Sequence, residues 1–336
     1  MKRYLCLALA LLICMLFLPL LAGTNLFSKS DGQTPPTTAE EDTFLLLDEA
    51  DGTVLTVNAY DYLCGAVAAE MPPSFHTEAL KAQAVAAYTG AYRKREQQKA
   101  SPDPALQGAY FTVNTAQKLG YLPKELAQAQ WGDSFAAAWE RIETAVKEVS
   151  GKLLVYEGEP ILAVYHSISG GATETAGNYW GNDVPYLQSV ESPGDTMAPE
   201  YQTQVSFQAA DLQSALATAF PELTLPEDTG AWFGAGQLSP AGTVTSIAVG
   251  NATLTGRQIR ETLGLRSANF QVLAADGVFT FTVKGYGHGV GMSQYGADYM
   301  ARQGTKWQDI LTHYYKGASI LSVEDAGTAA SSQARA

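Results

Sequence analysis

Cysteine, histidine and charge are all scarce in this chain. Of 336 residues only three are cysteine, and Cys6 and Cys14 fall in an apolar N-terminal run, which leaves Cys64 alone in the remainder. No disulfide can form within that remainder, so its stability must come from a packed core. The four histidines, at 76, 166, 288 and 313, have no cysteine near them and lack the spacing of a zinc site. Charged residues are 16% of the chain, and 34 Asp and Glu against 21 Lys and Arg give a net charge of −13. That balance argues against nucleic acid or an anionic lipid surface as a partner and is compatible with a neutral glycan backbone.

What is abundant is glycine and apolar surface. With 46% hydrophobic residues, 31 glycines and 15 prolines, the composition predicts a turn-rich α+β fold of mixed helices and antiparallel strands, not a helical bundle. The run from Tyr4 to Ala22, preceded by Lys2 and Arg3, is long enough for a transmembrane helix. The Pro19-to-Gly23 stretch fits a signal-peptidase site poorly and Ile13 does not suit lipoprotein processing at Cys14, so residues 1–23 are predicted to be an uncleaved anchor. Positive charge before the run and acidic residues after it put the N-terminus in the cytoplasm and the body outside. Residues 24–42, rich in Ser, Thr, Pro and acidic side chains, read as a flexible tether. The domain is expected over 43–322, with 191–245 a probable insertion and 323–336 a disordered tail.

Within the domain, Asp51-Gly52 sits between two short apolar runs, 43–47 and 53–57, and predicts a hairpin. A helix is expected over 61–71, closed by Pro72-Pro73, and a longer alanine-rich helix over 77–96. A second hairpin is expected from 152–156 and 161–167. Thr255 and Gln258 form a capping box for a short helix that Gly264 closes. The alternating strand 279–283 leads into a glycine-rich run, 285–296, and two helices near 297–303 and 307–315.

Glu70 is the most informative residue for chemistry. Leu63, Ala66 and Val67 precede it on one helical stripe, which puts a carboxylate on the buried face. Either it snorkels to solvent or pairs with Lys81 at a helix end, or it opens on a cleft with a raised pKa, as a general acid requires. The glycines at 285, 287, 289, 291 and 296 do not match a dinucleotide loop. They allow either a tight structural crossing or close approach of a ligand to His288, Ser293 and Gln294. His166, Ser167 and Ser169 precede Gly170-Gly171 without a nucleophile elbow, and neighbouring strand residues face opposite ways, so a serine amidase or esterase is the weaker reading. Trp180, Tyr186, Tyr314 and Tyr315 are sugar-stacking candidates or core aromatics.

Taken in order, the blocks Ala68-Ala-Glu-Met-Pro72, Glu78-Ala-Leu-Lys-Ala-Gln-Ala-Val-Ala-Ala87, His166-Ser-Ile-Ser-Gly-Gly171, Trp180-Gly with Val184-Pro-Tyr-Leu187, and Gly287-His-Gly-Val-Gly-Met-Ser-Gln-Tyr-Gly-Ala297 resemble the stage II sporulation protein D family. The resemblance covers about 43–322. It implies a peptidoglycan lytic transglycosylase that cuts between N-acetylmuramic acid and N-acetylglucosamine without water, leaving a 1,6-anhydro end, with Glu70 acting first as acid and then as base. Candidate substrate contacts on these blocks are Lys81, Gln83, His166, Ser167, Ser169, Trp180, Tyr186, His288, Ser293, Gln294 and Tyr295, with Tyr314 beyond them. It further implies glycan stripped of stem peptides, a sporulating cell, a septal membrane, and partnership with a wall amidase and a membrane protein. No cofactor is expected, and the cysteines that hold zinc in some relatives are absent. The chain departs from the family at Tyr88, where an arginine is usual; a non-catalytic wall-binding scaffold is the rival that this departure allows.

Overall fold

The computed structural model describes residues 42–325. The anchor expected over 1–23, the tether as far as 41 and the tail from 326 lie outside the described residues. No described helix is long and apolar enough to cross a membrane.

The hairpin forms as β1 (Thr43–Asp48) and β2 (Thr53–Asn58), with Thr43 opposite Asn58 and Gly52 at positive φ in the turn. Helix α1 (Ala59–Glu70) starts where the Asn58 side chain accepts from the Asp61 N–H, and it ends at Met71, just before Pro72. Helix α2 (Thr77–Ala100) has 24 residues, and its buried alanines let other elements approach closely. Strand β3 (Phe111–Val113) pairs parallel with β1, and α3 (Lys124–Trp131) and α4 (Phe135–Glu148) follow. Asp42, which composition assigns to the tether, is bound into the fold. Its carbonyl accepts from the Ala59 N–H at 2.6 Å, and its carboxylate takes both the Tyr88 hydroxyl and the Arg95 guanidinium.

The expected second hairpin forms only in part. Strand β4 (Lys152–Tyr156) pairs with the two-residue β5 (Glu159–Pro160), but the chain then leaves that sheet, and β6 is only Tyr165–His166. Within 161–167, Ile161, Ala163 and His166 are buried while Leu162 is exposed, and only Tyr165–His166 pair, parallel with Met292–Ser293. Short α5 (Ala176–Trp180) follows.

A second core is built by β7 (Gln202–Gln208), α6 (Ala209–Ala219), β8 (Phe233–Leu238), β9 (Val244–Val249), β10 (Ala252–Leu254), α7 (Gly256–Leu263), β11 (Phe270–Ala275) and β12 (Val278–Lys284). Antiparallel sheets of order β11-β12-β7 and β10-β9-β8 enclose Trp232, Phe279 and Phe281 with Leu212, Leu216 and Ile259 from the helices. The Thr255–Gln258 capping box and left-handed Gly264 bound α7. Strand β13 (Met292–Ser293), α8 (Gln294–Arg302), α9 (Trp307–Tyr314) and β14 (Ser319–Ser322) return to the first core. There β13 pairs parallel with β6, β14 pairs antiparallel with β4, and α8 and α9 pack on α2. The architecture is α+β with several small sheets, mostly antiparallel, and α2 at the centre of the first core touches α1, α4, α8, α9 and β4.

Candidate functional site

Helix α1 presents Leu63, Ala66 and Val67 to the core, and Glu70 continues that stripe at its last turn, only partly buried. Burial raises the Glu70 carboxyl above its usual value, while the Gln294 side chain facing it pulls part of the way back. The negative end of the α1 dipole acts in the same direction as burial. The pairing with Lys81 does not occur, because Lys81 is held by Glu78 at 2.8 Å and Glu148 at 2.5 Å. Two residues along α2 from Gln83, Lys81 points to another face of the helix.

Around the carboxyl stand Tyr62 of α1 and Tyr165 of β6, whose phenols are pushed well above the ordinary range by burial and then by the Glu70 charge. Both therefore stay protonated. Gln294, the first residue of α8, approaches Gln83 of α2 with its Nε2 3.5 Å from the Gln83 Oε1. Gln83 is fully buried, and its own Nε2 has no hydrogen-bond partner.

The glycine-rich run delivers Gln294 by crossing the 164–174 segment at close quarters. A Cβ on Gly287, at φ +113°, would lie 2.7 Å from the His166 Cβ, and one on Gly291, at φ +74°, would lie 2.1 Å from the Val164 oxygen. The structural alternative for these glycines thus holds at both positions. Between them His288 is carried to the site. Its Nδ1 accepts from the Val290 N–H at 3.0 Å, and the Nδ1 of buried His166 lies 3.1 Å from the Val290 oxygen and donates to it. Burial lowers the His166 pKa to about 4, and burial together with His166 lowers that of His288 to about 3. Neutral imidazoles result at physiological pH. The Trp180 ring is 5.2 Å from His288.

Ser169 and Ser293 meet on a residue the sequence did not single out. Asp195, fully buried, accepts from the Ser169 N–H at 3.0 Å, from the Ser169 hydroxyl, and from the Ser293 hydroxyl at 2.6 Å. Tyr314 is also fully buried, 2.8 Å from the Ser192 hydroxyl. Ser169, Ser293 and Tyr314 are therefore buried and hold the loops together through these hydrogen bonds. Ser167 is partly buried, and its carbonyl accepts from the Tyr295 N–H at 3.1 Å. Tyr295 packs edge-on against Phe75, and the Tyr186 hydroxyl takes the Leu162 N–H at 2.9 Å. Each hydrogen bond described for a histidine ring runs to main chain, including that of His313 to the Glu191 carbonyl and that of His76 to the Glu78 N–H. Among the described residues no cluster of three or more His, Cys, Asp or Glu converges on a metal site.

A cleft of about 310 Å³ runs from Tyr62, Tyr165 and His288 along α2 toward Gln97, with 162–165 as its opposite wall. Sequence reasoning missed Tyr62, Tyr165, Asp195 and this cleft. Tyr165 adjoins the His166 block and was within reach, whereas Asp195 sits in the least patterned stretch and carried no signal.

Comparison with known proteins matches residues 48–156 to the family described as Stage II sporulation protein. The chain is 40% identical over 267 residues to Stage II sporulation protein D of Bacillus amyloliquefaciens, covering 79% of this chain and 74% of that protein. It is 38% identical over 276 residues to Stage II sporulation protein D of Bacillus subtilis (strain 168), covering 82% and 78%. A more distant relative, the amidase enhancer of Bacillus subtilis (strain 168), is 26% identical over 314 residues, 77% of this chain and 40% of that protein.

Proposed function

Because the chain belongs to the stage II sporulation protein D family, we propose that it is a lytic transglycosylase acting on glycan strands of peptidoglycan. Glu70, protonated at the start, gives its proton to the glycosidic oxygen as the bond from muramoyl C1 to that oxygen breaks. The muramoyl C6 oxygen then closes on C1, and the Glu70 carboxylate takes the C6 hydroxyl proton. The acid is regenerated, no water is consumed, and the product ends in 1,6-anhydromuramic acid. A single carboxyl group suffices, unlike the two of a glycoside hydrolase.

The observation that carries this reading is the partly buried Glu70 with its raised pKa, faced by one amide and acting electrostatically on Tyr62 and Tyr165, two residues that line the cleft. Tyr62 and Tyr165 beside it retain their protons as neutral donors. The serine hydrolase reading loses ground, since the Ser169 hydroxyl is committed to Asp195 and the described histidine hydrogen bonds go to main chain. The scaffold reading rests on Tyr88. That side chain is buried against Asp42 and Phe44, so its substitution for arginine is accommodated in the fold and does not by itself argue for lost turnover.

The family further supports a role in sporulation at the septal membrane, on glycan already stripped of stem peptides. The relative named amidase enhancer supports a wall amidase as partner, and a membrane partner is part of the same reading. The test is release of anhydromuropeptides from stripped glycan by Glu70→Gln. Loss of about 10²- to 10⁴-fold in rate is expected; a fully active variant would assign the chemistry to another residue, and a parent chain that releases no anhydromuropeptides would favour the scaffold.

A further inference from the structure

The cleft that ends at Tyr62 and Tyr165 carries positive charge that no carboxylate among the described residues neutralises. One of its walls is the face of α2 that holds Ala87, Gly90 and Lys94, with Arg93 alongside, and the end closed by Tyr62 and Tyr165 is the one that feels Glu70. Gly90 lies in the interior of a helix, where glycine is less favourable than alanine. Its φ is outside the left-handed region and a Cβ there would meet nothing within 4 Å, so local geometry does not ask for glycine. What the missing side chain leaves is room in the cleft.

Arg93 and Lys94 flank that room. The arginine spends one hydrogen bond on the Pro160 carbonyl at 2.7 Å, and the Lys94 ammonium lies 5.0 Å from the centre of the Phe111 ring. Neither takes part in the ion pairs among the described residues, although neighbouring Arg95 pairs with both Asp42 and Glu96. On a chain of net charge −13, two cations on one wall without a carboxylate partner make a local field that selects an anion, and burial, which lowers the Lys94 pKa, leaves its ammonium short of the solvation that an anion would replace. Lys94 is 11 residues beyond Gln83 on α2, about 16 Å along the axis at 1.5 Å per residue. The anion therefore belongs to a part of the substrate away from the bond being cut.

We propose that Arg93 and Lys94, with the space left by Gly90, form a carboxylate subsite for the lactyl group of a muramoyl residue in the disaccharide next to the scissile one. The proposal rests on the glycan-cleaving reading of Glu70. In a strand that keeps its stem peptides the lactyl carboxyl is an amide, uncharged and followed by a peptide that the cleft must also admit. Once the peptide is removed, the same group is a free carboxylate that accepts charge-assisted hydrogen bonds from guanidinium and ammonium. The subsite turns the stripped state of the glycan into binding energy at a point remote from the chemistry, where such energy can hold the scissile bond in place.

Binding is measured with the full-length chain carrying Glu70→Gln, so that strands stay intact, by titration calorimetry against three probes. They are stripped glycan strands, the same strands with their lactyl carboxyls converted to methylamides, and chitin oligosaccharides, which have no lactyl group. Stripped glycan is expected to bind about three- to tenfold more tightly than its methylamide, between the worth of an exposed ion pair and that of a charge-assisted hydrogen bond. Lys94→Gln abolishes that ratio and leaves chitin binding as it was, Lys94→Arg keeps the ratio, and Gly90→Leu weakens all three ligands by filling the cleft. Added salt should erode the ratio in the parent and not in Lys94→Gln. A ratio that survives Lys94→Gln, or equal losses for the stripped and neutral probes, overturns the subsite. If the Glu70→Gln chain still releases anhydro ends, it is the catalytic reading that fails, while methylamides and chitin still report on the subsite.

Discussion

The Gln294 amide nitrogen lies 3.5 Å from the side-chain oxygen Oε1 of Gln83, 211 positions earlier in the chain, and the side chain also faces Glu70. One side chain thus ties the helix after the glycine crossing to the central helix and to the candidate acid. Since Gln83 is fully buried, this contact sets where Gln294 stands relative to the carboxyl.

That placement predicts a pH effect. Gln294 favours the carboxylate form of Glu70 and so opposes the upward shift that burial causes. In Gln294→Leu the opposing effect is gone and the Glu70 pKa rises further. A general acid works while protonated, so the alkaline limb of the kcat/KM profile on stripped glycan should move to higher pH. A limb that moves to lower pH would show that Gln294 does not tune this group.

Asp195 predicts a stability effect without a catalytic signature. Asp195→Ala leaves the Ser169 N–H and the Ser169 and Ser293 hydroxyls without their buried acceptor, at a cost of about 2–4 kcal/mol. Denaturant unfolding of the variant measures it. A loss below about 0.5 kcal/mol, the size of an ordinary surface change, would mean that the network contributes little.

Two glycine substitutions should have opposite signs. Gly287→Ala places a Cβ 2.7 Å from the His166 Cβ at a backbone φ of +113°, and should cost several kcal/mol or prevent folding, since strain and overpacking each cost about 1–3 kcal/mol. Gly90→Ala meets open space and should stabilise by about 0.5–1 kcal/mol. Melting temperatures of the two variants, compared with the parent, decide both.

Asp42 provides a test of where the folded unit starts. Asp42→Asn in the full-length chain removes the charge that pairs with Arg95 and accepts from Tyr88. With Arg95 itself buried, a loss of about 1–3 kcal/mol is expected. Unchanged unfolding free energy would return Asp42 to the tether.

Local patterns were legible from sequence wherever the chain carries its own signal. The Asp51-Gly52 turn, the Asn58 start and Pro72 stop of α1, and the Thr255–Gln258 capping box each depend on residues a few positions apart. Composition predicted the mixed α+β class, and the ordered motif blocks predicted the family. The 161–167 segment has the apolar content of a hairpin strand, but only 159–160 pair with β4 and Tyr165–His166 pair with β13 instead, a long-range choice that local pattern does not carry.

The site divides in the same way. Periodicity along α1 puts Glu70 on the buried stripe, and no other part of the fold is needed for that inference. Whether Glu70 pairs with Lys81 or stands beside Gln294 depends on where α8 and α4 pack, and Glu148 of α4 takes Lys81. In sequence Ser169 is a candidate nucleophile and Ser293 a candidate ligand contact, and both hydroxyls are bound in the fold because Asp195, from a stretch without pattern, is brought between them. Hydrogen bonds and desolvation depend on distances of a few ångströms between segments far apart in sequence, so they arise only when the chain is packed. The sequence by itself determined which residues could carry the chemistry, and the tertiary structure decided which of them face the cleft and which are consumed in holding it together.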